Sequence, residues 1–162
     1  KRFVEDPEDL KNRTELHWLS ATMFNHCFLA TGSENDWTTH RLEHEIGGEF
    51  DVIHGEGIAA ILPSIIRYVA RRQPQRYAQL AVRVLGADPY DDNEERLALL
   101  LADYFESFFK LFGLATSLNE LNIPETAIEH IAERLTDGGS RTVGNYSPLT
   151  CDDVVEVLRL AY

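Results

Sequence analysis

The sequence predicts an all-α protein, a bundle of about six to eight helices, on the strength of three observations. Apolar residues recur every three or four positions over several long stretches, which is the period of an amphipathic helix. Capping residues, prolines and glycines stand at the ends of those stretches. No stretch shows the apolar–polar alternation with hairpin turns that is typical of strands.

The first predicted helix begins at Asp6, where a capping carboxylate precedes a proline suited to the first helical position. Gly32 is a suitable stop, because glycine adopts the left-handed conformation that ends many helices. Helical spacing predicts a single apolar stripe along this helix, made of Leu10, Leu16, Leu19, Met23, Cys27 and Ala30.

A second helix follows a polar turn. Asp36 is its predicted N-cap, and His40 and His44 lie on it four residues apart. Gly47 and Gly48 come directly afterwards and offer a place where the chain can turn back. The segment is therefore expected to form a short helix followed by a reversal of direction.

After this reversal, His54 opens a segment that is apolar nearly all round, GEGIAAILPSIIRYVARR, which predicts a helix buried at the centre of the domain. Pro63 interrupts its hydrogen-bond ladder and is expected to kink it. Another helix is expected between Pro74 and Gly86. Its predicted inward residues are Tyr77, Leu80, Ala81 and Val84.

The C-terminal part contains three more predicted helices. Residues 94–112 form the longest regular pattern, and its aromatic stripe is more typical of packing than of a cofactor site. Pro124 opens a helix over about residues 125–135, and the Asp-Gly-Gly sequence at 137–139 ends it. Thr150 caps the last helix. The inward residues predicted for 94–112 are Leu97, Leu100, Leu101, Tyr104, Phe105, Phe108 and Leu111.

The chain is acidic, with 15 Lys and Arg against 27 Asp and Glu and a formal net charge of −12. This charge repels phosphate backbones and anionic lipids, so neither nucleic acid nor a membrane is an expected partner. Cys27 and Cys151 lack CxxC spacing and are expected to be free thiols. Without a secretory signal or an apolar span, the expected location is the cytoplasm. Residues 1–162 are long enough for one sizeable core, so a single domain is expected.

Three of the six histidines fall within 15 residues. His40 and His44 project from one helical face, and His54 can face them from the head of the next helix. This arrangement suits a metal ion or a polar active site, although histidines on half-buried helix faces are also common in purely structural roles. The pattern is not HExxH, because Ile46, Gly47 and Gly48 follow Glu45, and the metalloprotease helix is excluded.

The string THRLEHE-x8-HG-x3-A-x3-P, with Trp37 just before it, resembles the signature of the iron-dependent (group III) alcohol dehydrogenases. Within that family it is most similar to the butanol dehydrogenase and broad-specificity aldehyde reductase branch. The likeness extends over the chain. The segment 16–32, with Trp18 and Asn25, precedes the motif, and LTDGGSRTVGNYSPLTCDDVVEVLRLAY resembles that branch's closing loop and last helix.

The resemblance implies roles for individual residues. In that family the histidines matching His40 and His54 are metal ligands, and the one matching His44 lies beside the nicotinamide and the substrate without ligating. Two further ligands, an Asp and a His at i, i+4, come from an upstream helix, and a separate N-terminal α/β domain binds the dinucleotide. This sequence contains neither, so the resemblance implies the C-terminal metal-binding domain of a longer enzyme.

The implied activity is the interconversion of alcohols and aldehydes by hydride transfer, with iron(II) or zinc as Lewis acid and NAD(P) held by the missing domain. His44 is the candidate proton relay, with positioning of cofactor or substrate as the alternative. No phosphate-binding glycine loop occurs, so no residue here is assigned to the cofactor. We expect the 162 residues alone to be inactive, a small alcohol or aldehyde as substrate, and a homodimer as one possible assembly.

Two alternatives stay open at this point. The first is a related enzyme of the same superfamily, similar to glycerol dehydrogenase or dehydroquinate synthase, which shares the two-histidine arrangement. The HEIGG segment and the closing loop favour the alcohol dehydrogenase branch over it. The second is a helical interaction module in which the histidines are structural, and metal analysis separates it from the other two.

Overall fold

Helices make up nearly all the regular structure of this chain in the computed structural model, which describes residues 2–23 and 34–162. The chain divides into two units, Lys1–Asn35 and Asp36–Tyr162. Within the described ranges, the one β-type pairing is an isolated antiparallel bridge between Val143 and Leu149. The predicted all-α class is confirmed.

The first unit contains two helices, α1 (Arg2–Glu5) and α2 (Leu10–Met23). The predicted helix start at Asp6 is wrong. The Asp6 carboxylate accepts a hydrogen bond from the Glu8 N–H at 3.3 Å, and this local contact closes a turn in place of a helix. Asp9 caps α2 instead, since its side chain accepts from the Lys11 N–H at 2.8 Å.

None of the described residues of α2 is buried. The predicted apolar stripe is therefore exposed over its described part, at Leu10, Leu16, Leu19 and Met23. Its continuation toward Gly32, with Cys27 and Ala30, lies outside the described residues. Helical spacing identifies side chains that share a face, but it does not show whether another element covers that face.

The second unit carries the remaining elements that the structure describes. They are α3 (Thr38–Phe50), α4 (His54–Ala70), α5 (Gln75–Leu80), which changes into a π-helix at Ala81–Leu85, α6 (Glu94–Leu111), a 3₁₀ turn at Glu125–Ala127, α7 (Ile128–Leu135) and α8 (Cys151–Leu160). No helix in the described ranges is both long and apolar enough to cross a membrane.

Helix α4 lies at the centre of this unit, packed against α3, α6 and α8. Ile61 and Ile65 contribute to a core cluster with residues of α3, α7 and α8, while Ile66 belongs to a second cluster with residues of α5 and α6. Burial on two sides confirms the predicted central helix. Helix α4 continues through Pro63, which is itself buried, and the kink remains a prediction.

The predicted inward face of α5 is partly wrong. Ala78 and Ala81 are buried there, whereas Leu80 and Val84 are exposed. The π-helix is wider than an α-helix, so it shifts which side chains align along the axis. Gly86 ends the element as predicted, with a φ of 71°.

Burial along α6 is uneven. Leu97 and Leu101, in its first half, lie in the core, while Tyr104, Phe108 and Leu111 are exposed. The exposed rings stack on one another along the helix, with 6.0 Å between the Tyr104 and Phe108 centroids. The predicted inward stripe is therefore confirmed at Leu97 and Leu101 and in part at Phe105, which packs against the second cluster. It is wrong at the other four positions, Leu100, Tyr104, Phe108 and Leu111.

The start of α8 agrees with the prediction, because Thr150 and Asp153 form a reciprocal capping box. Asp153 Oδ1 also accepts hydrogen bonds from the Tyr68 hydroxyl and from Arg72 Nη1, which joins α8 to α4. Burial alone would raise the pKa of Asp153. The hydrogen bonds from Tyr68 and Thr150 and the charge of Arg72 outweigh burial and lower this pKa. Burial and then the Asp153 contact raise the pKa of Tyr68 to about 12, so Tyr68 stays a donor.

Replacing Asp153 by alanine should lower the free energy of unfolding by about 2 kcal/mol at pH 7, because the Asp153 half of the capping box and the hydrogen bonds from Tyr68 and Arg72 are all lost. The folded pKa of Asp153 lies below its ordinary value of 3.8, so this stability is present above pH 3.8 and disappears as the pH falls through the folded pKa. Denaturant unfolding of both proteins from pH 7 downward measures the difference. Asp152→Ala is the matched control, since Asp152 lies in the same first turn without these contacts. Equal losses in the two variants would contradict the assignment.

Candidate metal centre

Helix α3 positions two of the three histidines. Trp37 occupies the N-cap position of α3, so the predicted cap at Asp36 is one residue too early. The Asp36 carboxylate nevertheless accepts from the Thr38 N–H at 3.0 Å, so it does bind the exposed backbone of the first turn. One turn further on, His40 and His44 lie side by side, with ring centroids 4.3 Å apart.

The turn that brings His54 back toward α3 is not where the sequence places it. Gly47 and Gly48 lie inside α3, and the helix ends at Asp51, whose φ of 53° is left-handed. Glycine adopts this conformation most readily, which made Gly47 and Gly48 the more obvious but wrong choice for the turn. Aspartate tolerates it better than most other residues do. His54 is then the first residue of α4.

The three predicted histidines converge. The ring centroid of His54 lies 4.8 Å from that of His40 and 5.3 Å from that of His44. One ligand nitrogen from each lies within 4.8 Å of the other two. In the part of the chain that the structure describes, they form the one group of three or more His, Cys, Asp or Glu side chains close enough to hold an ion. His40 is the central ring, and its centroid lies 5.2 Å from that of Trp37 in an edge-to-face arrangement.

Burial and the two neighbouring histidines all lower the pKa of the central ring, His40. Burial has the largest effect, followed by the charges of His44 and His54, although Glu43 opposes this lowering of the pKa. At neutral pH His40 is therefore uncharged and has a lone pair to offer to an ion.

The donor set suits a divalent ion of borderline character, such as iron(II) or zinc. Two nitrogens bound to one ion at about 2.0–2.1 Å are at most about 4.2 Å apart. The group fits an ion after small side-chain rotations, or with one ring left outside the shell. Two imidazoles fill half of a tetrahedral shell, so the other donors must come from elsewhere.

Glu43 is a site residue that sequence reasoning missed. Its side chain is 2% exposed, and Oε2 contacts His54 Nδ1 across the gap between α3 and α4. An acidic residue between two histidines looks like a solvated helix position, although its i, i+3 spacing puts Glu43 next to His40 on the helix surface. A usable signal was the pair of glycines at 47 and 57, which mark a place where something approaches the backbone closely.

His44 occupies the open side of the group. It is exposed and lines a cleft of about 350 Å³ that it shares with residues 141–143 of the closing loop. The loop reaches the site because Gly144 lies against the first turn of α3, where a Cβ would overlap the Thr38 hydroxyl. The cleft gives solvent and small molecules a path to His44.

Known proteins that are similar to this chain give independent evidence of its family. Residues 1–162 match the family described as "Fe-containing alcohol dehydrogenase family, C-terminal". The NADH-dependent butanol dehydrogenase A of Clostridium acetobutylicum is 26% identical over 163 residues, which cover 100% of this chain and 41% of that protein. The NADPH-dependent aldehyde reductase YqhD of Escherichia coli is 25% identical over 93% of this chain and 38% of its own length. The chain therefore spans about two fifths of the length of these relatives.

The fold is shared with solved structures. The crystal structure of NADH-dependent butanol dehydrogenase A from Thermotoga maritima matches 99% of this chain and 41% of that one, with a TM-score of 0.85 and 29% identity. Both the sequence match and the structural match extend from one end of the chain to the other, and the resemblance seen in the histidine motif is confirmed. The chain belongs to the Fe-containing alcohol dehydrogenase family, as its C-terminal domain.

Proposed function

We propose that the chain is the metal-binding catalytic domain of an NAD(P)-dependent alcohol dehydrogenase or aldehyde reductase. His40 and His54 would ligate a divalent ion, iron(II) or zinc, and His44 would serve the reaction from beside it. The observation that carries the proposal is the convergence of three imidazoles from α3 and α4, with ligand nitrogens within 4.8 Å. Small alcohols and aldehydes are the proposed substrates, in keeping with the butanol dehydrogenases and the aldehyde reductase among the relatives.

Held by His40 and His54, the ion would supply Lewis-acid chemistry for the oxygen of an alcohol or aldehyde, which would favour hydride transfer to or from the adjacent carbon. The task of His40 and His54 is to hold it at the junction of two helices that the core keeps rigid. His40 is suited to this task because it is uncharged at neutral pH.

His44 is the residue we assign to proton transfer. It is exposed at the cleft and lies 4.3 Å from His40, between solvent and the proposed ion. Imidazole can take up and release protons near neutral pH, so His44 can receive the proton of an alcohol and pass it to solvent.

The remaining parts of the machinery belong to the complete enzyme in this proposal. An N-terminal domain would bind the nicotinamide cofactor, and an upstream Asp and His would complete the metal shell. Two imidazoles alone hold an ion weakly, which is why the 162 residues by themselves are expected not to turn over substrate.

Metal loading of the complete protein tests the proposal. After chelation and reloading with Fe²⁺ or Zn²⁺, the protein should contain a stoichiometric ion and oxidise NADH or NADPH in the presence of butyraldehyde. Chelated protein and the isolated 162-residue chain should not. A complete protein that holds no transition metal, and whose activity is unaffected by chelation, would favour a helical module in which the histidines are structural.

A further inference from the structure

The contact between Glu43 and His54 has no part in the roles assigned so far. Glu43 is one turn before Gly47 on α3 and three residues after His40, and its carboxylate is enclosed between α3 and α4. The Glu43 side chain is 2% exposed, whereas the His54 side chain is 47% exposed. One carboxylate oxygen, Oε2, contacts His54 Nδ1. The buried partner therefore holds the accessible one.

We propose that Glu43 is a positioning residue for the metal site, an inference that rests on the proposed function. The carboxylate accepts the Nδ1–H of His54, which fixes the ring's tautomer and leaves Nε2 free to face the ion. Histidine ligands commonly donate their second ring N–H to a carboxylate, which orients the ring and makes the ligating nitrogen more basic.

Two glycines make room for this carboxylate. A Cβ at Gly47 would lie 2.7 Å from Glu43 Oε1, and a Cβ at Gly57 would lie 2.7 Å from Glu43 Cγ and 2.9 Å from Oε1. Real Cβ contacts are longer, so any larger residue at either place would displace the carboxylate. Gly47 is on α3 and Gly57 is on α4, and the niche therefore exists only where the two helices pack together.

A purely structural role explains the arrangement poorly. Burying a carboxylate costs free energy, and a well-packed apolar residue in its place is often as stabilising or more so. The same helix already buries apolar side chains in the core, among them Leu42 and Ile46. The Glu43 carboxylate can fix the orientation of His54 by accepting its Nδ1–H, and an apolar side chain cannot.

The decisive experiment measures metal affinity and ring tautomer in the complete protein. Fe²⁺ and Zn²⁺ dissociation constants are determined by chelator competition for wild type, Glu43→Ala, Glu43→Gln and Gly57→Ala. Glu43→Ala should bind each ion about 10- to 100-fold more weakly. Glu43→Gln should lie between it and wild type, because the amide oxygen still accepts a hydrogen bond but carries no charge. Gly57→Ala should resemble Glu43→Ala.

The ring itself provides a second readout, which does not require bound metal. In metal-free protein with ¹⁵N-labelled histidine, His54 should show a single tautomer protonated on Nδ1 in wild type and a tautomer mixture in Glu43→Ala. The matched control is Glu49→Gln. Glu49 is on the same helix but pairs with Arg134 at 2.7 Å, so its loss should change neither readout.

The possible failures are distinguishable. A wild-type protein that binds no divalent ion overturns the proposed function and this inference with it. A wild-type protein that binds the ion, together with a Glu43→Ala variant of unchanged affinity and unchanged His54 tautomer, overturns the positioning role alone.

Discussion

Replacing His40 by alanine should remove the metal ion from the complete enzyme and reduce kcat/KM on the order of 10³-fold or more. His40 is the central ring of the group, with centroid distances of 4.3 Å to His44 and 4.8 Å to His54, and its loss leaves His54 without the second ligand that we assign to this chain. The Lewis-acid contribution of a metal is worth several kcal/mol of transition-state stabilisation, and each 1.36 kcal/mol is about tenfold in rate. Metal content by elemental analysis and steady-state kinetics with butyraldehyde measure the two effects.

His44→Ala is the informative comparison, because the two residues lie one turn apart on the same helix. It should retain the ion, since we place His44 outside the metal shell, and it should lose activity through slower proton transfer. A His40→Ala enzyme that keeps both metal and activity would contradict the proposed site. Loss of the ion in His44→Ala, with retention in His40→Ala, would instead exchange the roles of the two residues.

Replacing Gly144 by alanine should destabilise the protein by about 3–4 kcal/mol, because two unfavourable effects act together. The φ of 96° at Gly144 strains any residue with a side chain, which costs about 1–3 kcal/mol. The added methyl group would also overlap the Thr38 hydroxyl and lie 3.2 Å from Asp36 Oδ1, and overpacking costs about 1–3 kcal/mol. Denaturant unfolding measures the loss. Metal affinity should fall as well, since the displaced turn leads directly into His40.

Gly48→Ala is the matched control for this substitution. Gly48 lies within α3, nothing lies within 4 Å of the place its Cβ would occupy, and its φ is not left-handed. Alanine should therefore stabilise the helix there by roughly 0.5–1 kcal/mol. The double variant Gly144→Ala with Thr38→Ala should recover part of the loss, because the overlapping hydroxyl is gone. A Gly144→Ala protein as stable as wild type would show that the closing loop does not depend on this contact.

Burial was the property that sequence patterns predicted least well. The periodicity of α6 correctly indicated a helix, yet Tyr104 and Phe108 are exposed, and the stripe of α2 is exposed over its whole described length. A 3.6-residue period states that apolar side chains share a face. Only the packing of neighbouring helices decides which part of that face is covered, and at α5 a π-helix changed the face itself.

Helix caps and turns were also predicted correctly at some positions and wrongly at others. The capping box at Thr150 and Asp153 was readable because its hydrogen bonds join residues three apart in sequence. The same reasoning failed at Asp6, where the carboxylate closes a local turn, and at Gly47, where the glycine makes room for a side chain and the reversal falls on Asp51. Several residues are competent for each turn, and long-range contacts choose among them.

The sequence by itself determined the helical class and the spacing of His40, His44 and His54, because helix periodicity and residue spacing are local properties of the chain. The tertiary structure decided that the three rings meet, that Glu43 lies buried behind His54, and that Gly57 leaves room for it. Those relations cross from α3 to α4, and the distance between side chains on two helices is set by how the helices pack, which no local pattern specifies.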